Sequence, residues 1–171
     1  MTTKKMLCLV LFLAFIAPLA FSTELTEAQK EPSTVAFNAG DFFLSPEVIG
    51  VTAGSNGKIA LGANAEYFLS KEIAIGGDAS FYTKSPGGIS LFPDIEYHFN
   101  VHVRSLDVYA GAGPSIFFGF GSAGRTLLGG KAFGAARYFF TPSTGVFVKL
   151  GFASNSDGTA GFWALGVSFK L

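Results

Sequence analysis

Few residues in this chain have the types and spacing that do chemistry. The histidines are His98 and His102, both beside one predicted turn. A serine hydroxyl becomes a nucleophile only with a base in hydrogen-bond reach. The serines that end up in the outward half of the reading, Ser80, Ser115 and Ser154, have no histidine at their level. No run of His, Cys, Asp and Glu has metal-ligand spacing, and the many glycines fall at turns and on strand faces, not in phosphate-cradling loops. No catalytic residue, cofactor or metal is therefore predicted. What remains is charge: Glu66, Asp78, Asp94, Glu96, Asp107, Lys131, Arg137, Lys149 and Lys170.

These charges sit in alternating segments. The last nine residues, Trp-Ala-Leu-Gly-Val-Ser-Phe-Lys-Leu, put Trp163, Leu165, Val167, Phe169 and Leu171 on one face and Ala164, Gly166, Ser168 and Lys170 on the other. Side chains of a strand point alternately to its two faces, so this is a strand with one apolar side and one small, polar side. Eight such segments follow from residue 41: 41–51, interrupted by Pro46, then 58–68, 73–83, 89–99, 106–118, 127–139, 146–153 and 160–171. Turn signals separate them, the clearest being Ser-Pro-Gly-Gly at 85–88 and Thr-Pro-Ser-Thr at 141–144. All nine charges fall on the small, polar face. Asp94 with Glu96 and Lys131 with Arg137 agree in parity within single strands.

Composition says which face meets which solvent. Only 14% of residues are charged, against roughly 25% in an ordinary globular chain. After the first twenty or so residues no apolar run approaches the roughly 18 residues of a spanning helix. A closed barrel is the other structure that satisfies its backbone in lipid, and its apolar face would point outward. Aromatics support this reading. Tyr67-Phe68, Tyr97, Phe99, Tyr138-Phe139-Phe140 and Phe169 are expected at the periplasmic rim, and Phe81-Tyr82, Phe92, Phe117-Phe118, Phe152 and Phe162-Trp163 near the opposite one.

The N-terminus fits export. Lys4 and Lys5 precede the apolar stretch 6–19, and Ala20-Phe21-Ser22 offers a cleavage site, so residues 1–22 read as a signal peptide. Cys8 lies within it, which leaves no thiol or disulfide after cleavage. Loss of Lys4 and Lys5 leaves 10 basic and 12 acidic residues, a net charge of −2, with no reason to expect nucleic-acid binding. Residues 23–40, polar and containing Glu24, Glu27, Lys30, Glu31 and Pro32, read as a flexible periplasmic leader. Residues 41–171 form the barrel domain.

The cleavable signal, the eight alternating strands, phrases such as Tyr-Ala-Gly-Ala-Gly-Pro at 109–114 and the alternating terminal strand together resemble the small eight-stranded outer-membrane barrels of the OmpA and OmpX type. The resemblance spans about 41–171. It implies a single antiparallel up-and-down transmembrane barrel in the outer membrane of a diderm bacterium. It also implies contact with outer-membrane lipid and recognition of the terminal strand by the barrel-assembly machinery. The chain departs from the pattern in ending on Leu171, with Phe169 its nearest aromatic.

Along the polar face the acids Glu66, Asp78, Asp94, Glu96 and Asp107 occupy strands two to five, and the bases Lys131, Arg137, Lys149 and Lys170 occupy strands six to eight. Closure sets an acidic wall opposite a basic one across an interior that side chains fill. The expectation is a monomeric, non-enzymatic barrel with a salt-bridged, mostly closed lumen and a structural or surface-interaction role. The alternatives are a lipid-modifying outer-membrane enzyme and a soluble periplasmic ligand-binding barrel with its apolar face inward.

Overall fold

A computed structural model of the chain describes residues 37–53, 56–82, 87–101, 103, 105–120 and 124–171. The signal segment 1–22, the leader as far as residue 36, and His102 lie outside these. Eight strands follow one another: β1 (Phe42–Ala53), β2 (Asn56–Phe68), β3 (Ile73–Tyr82), β4 (Gly88–Phe99), β5 (Leu106–Gly119), β6 (Thr126–Thr141), β7 (Thr144–Asn155) and β8 (Gly158–Lys170). Each pairs antiparallel with the next, and β1 closes on β8 through pairs such as Phe43 with Lys170 and Thr52 with Gly161. The protein is an eight-stranded up-and-down β-barrel.

Its polarity is that of a membrane barrel. Outward residues are apolar and exposed, with Leu61 at 61%, Leu128 at 67% and Leu150 at 62%, whereas Glu96, Arg137 and Lys149 face inward at 0%. A soluble barrel with an apolar interior is thereby excluded, because its strands would have to turn over by one residue.

The strands run further than the hydropathy alternation. β7 and β8 extend to Asn155 and from Gly158, where the sequence reading places a loop from 154 to 159. The added residues are polar on both faces, so alternation marks the apolar band and is silent on the ladder beyond it. Gly158, at φ 132°, and the hydrogen bond from Asp157 N to Asn155 Oδ1 (2.8 Å) make the connection a tight hairpin. Pro46 does not break β1. It pairs in register with Ala63, points outward, and leaves a gap only in the β1–β8 ladder between Leu44 and Glu47. A matching gap between Leu91 and Ile95 in the β4–β5 ladder contains Pro93, whose missing N–H cannot join it.

Two glycines show how so small a barrel closes. A Cβ on Gly113 would lie 2.0 Å from the Pro93 carbonyl oxygen, so the inward-coiled β4–β5 wall has no room for one. Gly50, on the outer face, lies beneath the Trp163 indole, 2.2 Å from where a Cβ would be.

The aromatics divide differently from the sequence expectation. Tyr67, Tyr97, Phe99, Tyr138, Phe140 and Phe169 are exposed on the outer face near the termini, and Phe81, Phe118 and Phe152 near the other end. Phe68, Phe139 and Tyr82, however, point inward and are buried. Parity decides this, since Phe139 shares the face of Arg137, and Phe68 that of Glu66.

Candidate functional site

The interior is layered. At the end carrying the termini, Phe43, Phe68 and Phe139 form a buried aromatic cluster, completed by Phe37 from the end of the leader. Phe37 stacks on Phe68 with centroids 4.6 Å apart and 3° between planes. The leader's last residues are thus part of the folded barrel, and the backbone bond from Gly40 N to Phe68 O (2.8 Å) fixes their path.

Above this cluster lies a layer centred on Arg137. Its Nη1 is 2.9 Å from Glu66 Oε2, and its Nη2 and Nε are 2.8 and 3.1 Å from Asp107 Oδ2. The guanidinium also lies 4.7 Å from the Phe43 ring centre and 5.1 Å from that of Tyr109. Asp107 Oδ1 meets His98 Nδ1 at 2.9 Å, while His98 Nε2 faces Glu96 Oε2 at 3.7 Å. Ser168 and Ser45 hydroxyls share a hydrogen bond of 2.8 Å at the same level.

The next layer is centred on Asp78. Lys131 bonds its Oδ2, and Lys149 (2.9 Å) and the Asn64 amide (2.9 Å) donate to its Oδ1. Lys131 lies 3.9 Å from Asp94 and within 4.7–5.1 Å of the ring centres of Phe92, Phe133 and Phe162. Beyond it a cavity of about 320 Å³, walled by Ile49, Tyr82, Phe92, Phe117 and Phe162 with Ser90 and Ser115, lies in the half toward the loops.

Eight of the nine charges singled out in the sequence are thus buried in these two layers. Lys170 is not. It sits at the terminal rim, 2.6 Å from Asp41, with a side chain 25% exposed. One interior charge escapes the sequence reading. Glu47 is buried with both carboxylate oxygens unbonded, and its parity with Ser45 against Leu44 and Val48 was the available signal, obscured by Pro46. His98 lies one position inside β4 on the face of Asp94 and Glu96, as the alternation of 89–99 places it; what the sequence does not show is its pairing with Asp107. Two of the serines have ordinary partners: Ser80 bonds Ser90 at 2.5 Å, and Thr159 donates to Ser154 at 3.0 Å.

No protein-family model and no curated protein matches the chain. Among solved structures it is similar to the N-terminal β-barrel domain of Pseudomonas aeruginosa OprF, with a TM-score of 0.63 and 19% identity over 75% of this chain and 97% of that one. It is also similar to Neisserial surface protein A (TM-score 0.61, 15% identity, 77% and 96% covered) and to Ail, the attachment invasion locus protein of Yersinia pestis (0.53, 11%, 77% and 97%). The fold is that of the small outer-membrane barrels. At such identities the likeness belongs to the fold, and the interior of this barrel is read from its own residues.

Proposed function

We propose that the protein is an integral outer-membrane barrel of a diderm bacterium, monomeric and non-enzymatic, with a structural or surface-interaction role and a lumen closed to bulk flow. One observation carries this reading: from the terminal end as far as Asp78 the interior is occupied by an aromatic cluster and two ionic layers, and open space begins only beyond Asp78. An eight-stranded barrel has an interior that side chains fill. The charged side chains of the two layers take up that space. Catalysis is disfavoured because His98 is held by Asp107 in the terminal half while Ser80 and Ser154 bond other hydroxyls.

The likeness to OprF, Neisserial surface protein A and Ail supports the membrane setting. The Ail structure in complex with a heparin analogue, sucrose octasulfate, supports the reading of an interaction surface. Here that surface consists of the loop ends of the strands, where Arg125 pairs with Asp157. Alternation in β8 continues to Phe169, which supports its reading as the strand recognised by the assembly machinery.

Fractionation and planar-bilayer recording test the proposal together. Carbonate-resistant retention in the outer membrane without a steady porin-sized conductance is the expected result. Release with periplasmic contents would overturn the location, and a steady porin-sized conductance the closed lumen.

A further inference from the structure

Charge in the lumen does not balance. Among the described residues the carboxylates of Glu47, Glu66, Asp78, Asp94, Glu96 and Asp107 are buried against the cations of Lys131, Arg137 and Lys149. In the layer nearest the termini, Glu66, Glu96 and Asp107 face Arg137, which leaves two negative charges with His98 neutral. Arg137 engages Glu66 and Asp107. Glu96 is wholly buried, yet neither of its carboxylate oxygens has a hydrogen-bond partner, and neither does His98 Nε2. Buried polar atoms in a folded protein are rarely left this way.

We propose that Glu66, Glu96 and His98 bind a divalent transition-metal ion inside the barrel. One carboxylate oxygen from each glutamate and one ring nitrogen of the histidine lie within 4.8 Å of one another. Donors about 2.1 Å from a tetrahedral ion are separated by roughly 3.4 Å, so these side chains close on it by moving about 1 Å. The histidine is already oriented for the task. Its Nδ1 meets Asp107 at 2.9 Å, which turns Nε2 toward Glu96; such a carboxylate behind a ligating imidazole fixes its tautomer and strengthens it as a ligand. A divalent ion cancels the two surplus charges of the layer. One imidazole with two carboxylates suits a borderline ion such as Zn²⁺ better than Ca²⁺ or Mg²⁺, which prefer oxygen alone. The ligands come from β2 and β4, so the ion would cross-link the barrel between non-neighbouring strands.

The test uses detergent-extracted protein, scored as folded by its mobility without heating and dialysed to equilibrium against micromolar Zn²⁺. About one Zn²⁺ per chain is expected, reduced at least roughly tenfold in affinity by His98→Gln or Glu96→Gln and unaffected by His102→Gln. Co²⁺ in place of Zn²⁺ should shift the His98 ring resonances of the unmutated protein. This decides the matter even if a variant fails to fold. Folded parent protein that takes up no stoichiometric Zn²⁺, uptake undiminished in both variants, or His98 resonances unmoved by Co²⁺ would each overturn the site.

Discussion

Arg137 shows what a single residue carries here. It is wholly buried on β6 and touches Asp107 on the neighbouring β5, Ser168 on β8 and Glu66 across the lumen on β2. Replacing it with Met leaves two carboxylates buried without their cation, and removal of one partner from a buried pair costs about 3–5 kcal/mol. Lys170→Met removes a rim charge that is partly in water, and should cost no more than about 1 kcal/mol. Urea unfolding in lipid vesicles should therefore separate the two variants widely; equal midpoints would show that the Arg137 layer is not a stabilising centre.

At the scale of the element, the outer face of each strand answers to lipid and to its neighbour. Leu61 and Leu150 lie near the middle of β2 and β7, while Phe169 lies at the end of β8. Arginine at either leucine should cost about 2–4 kcal/mol, and at Phe169 about 0–1 kcal/mol, as the depth dependence of lipid exposure requires. Vesicle unfolding measures this, and a cost independent of position would contradict the placement of the apolar band. The β1–β8 seam makes a second demand. A methyl at Gly50 meets the Trp163 ring, whereas one at Gly134 meets nothing within 4 Å. Gly50→Ala should cost about 1–3 kcal/mol through overpacking and alter tryptophan emission, which arises from Trp163 alone in this chain. Gly134→Ala should leave emission and stability unchanged.

Over the whole molecule, closure removes every sheet edge, and no strand can leave without breaking two ladders. The barrel should accordingly migrate as a compact species in detergent gels until boiled, then as an extended chain. Identical mobility before and after boiling would mean that β1 and β8 are not joined in the extracted protein. The aromatic cluster at the terminal end adds to this closure. Phe37 draws the end of the leader under Phe43, Phe68 and Phe139, so the chain entering β1 also stoppers the lumen.

The sequence by itself determined that there are eight strands, which face of each is apolar, and that the charges share the other face. Period-two alternation is a local property, and the low charge content leaves lipid as the solvent for the apolar side. The order of acids before bases, Glu66 through Asp107 and then Lys131 through Lys149, was equally open to reading. Only the tertiary structure decided which acid meets which base. Partners such as Arg137 and Glu66 are 71 residues apart in the chain and come together through the stagger of the closed sheet, to which alternation is blind. The same stagger set Lys170 apart at the rim with Asp41 and brought Glu66 on β2 toward Glu96 and His98 on β4; the inward side of Phe68 and Phe139 was legible in their parity, but their packing with Phe37 and Phe43 into one stopper was not. Parity assigns a side chain to a face, but its depth and its neighbours across the lumen exist only once the barrel is closed.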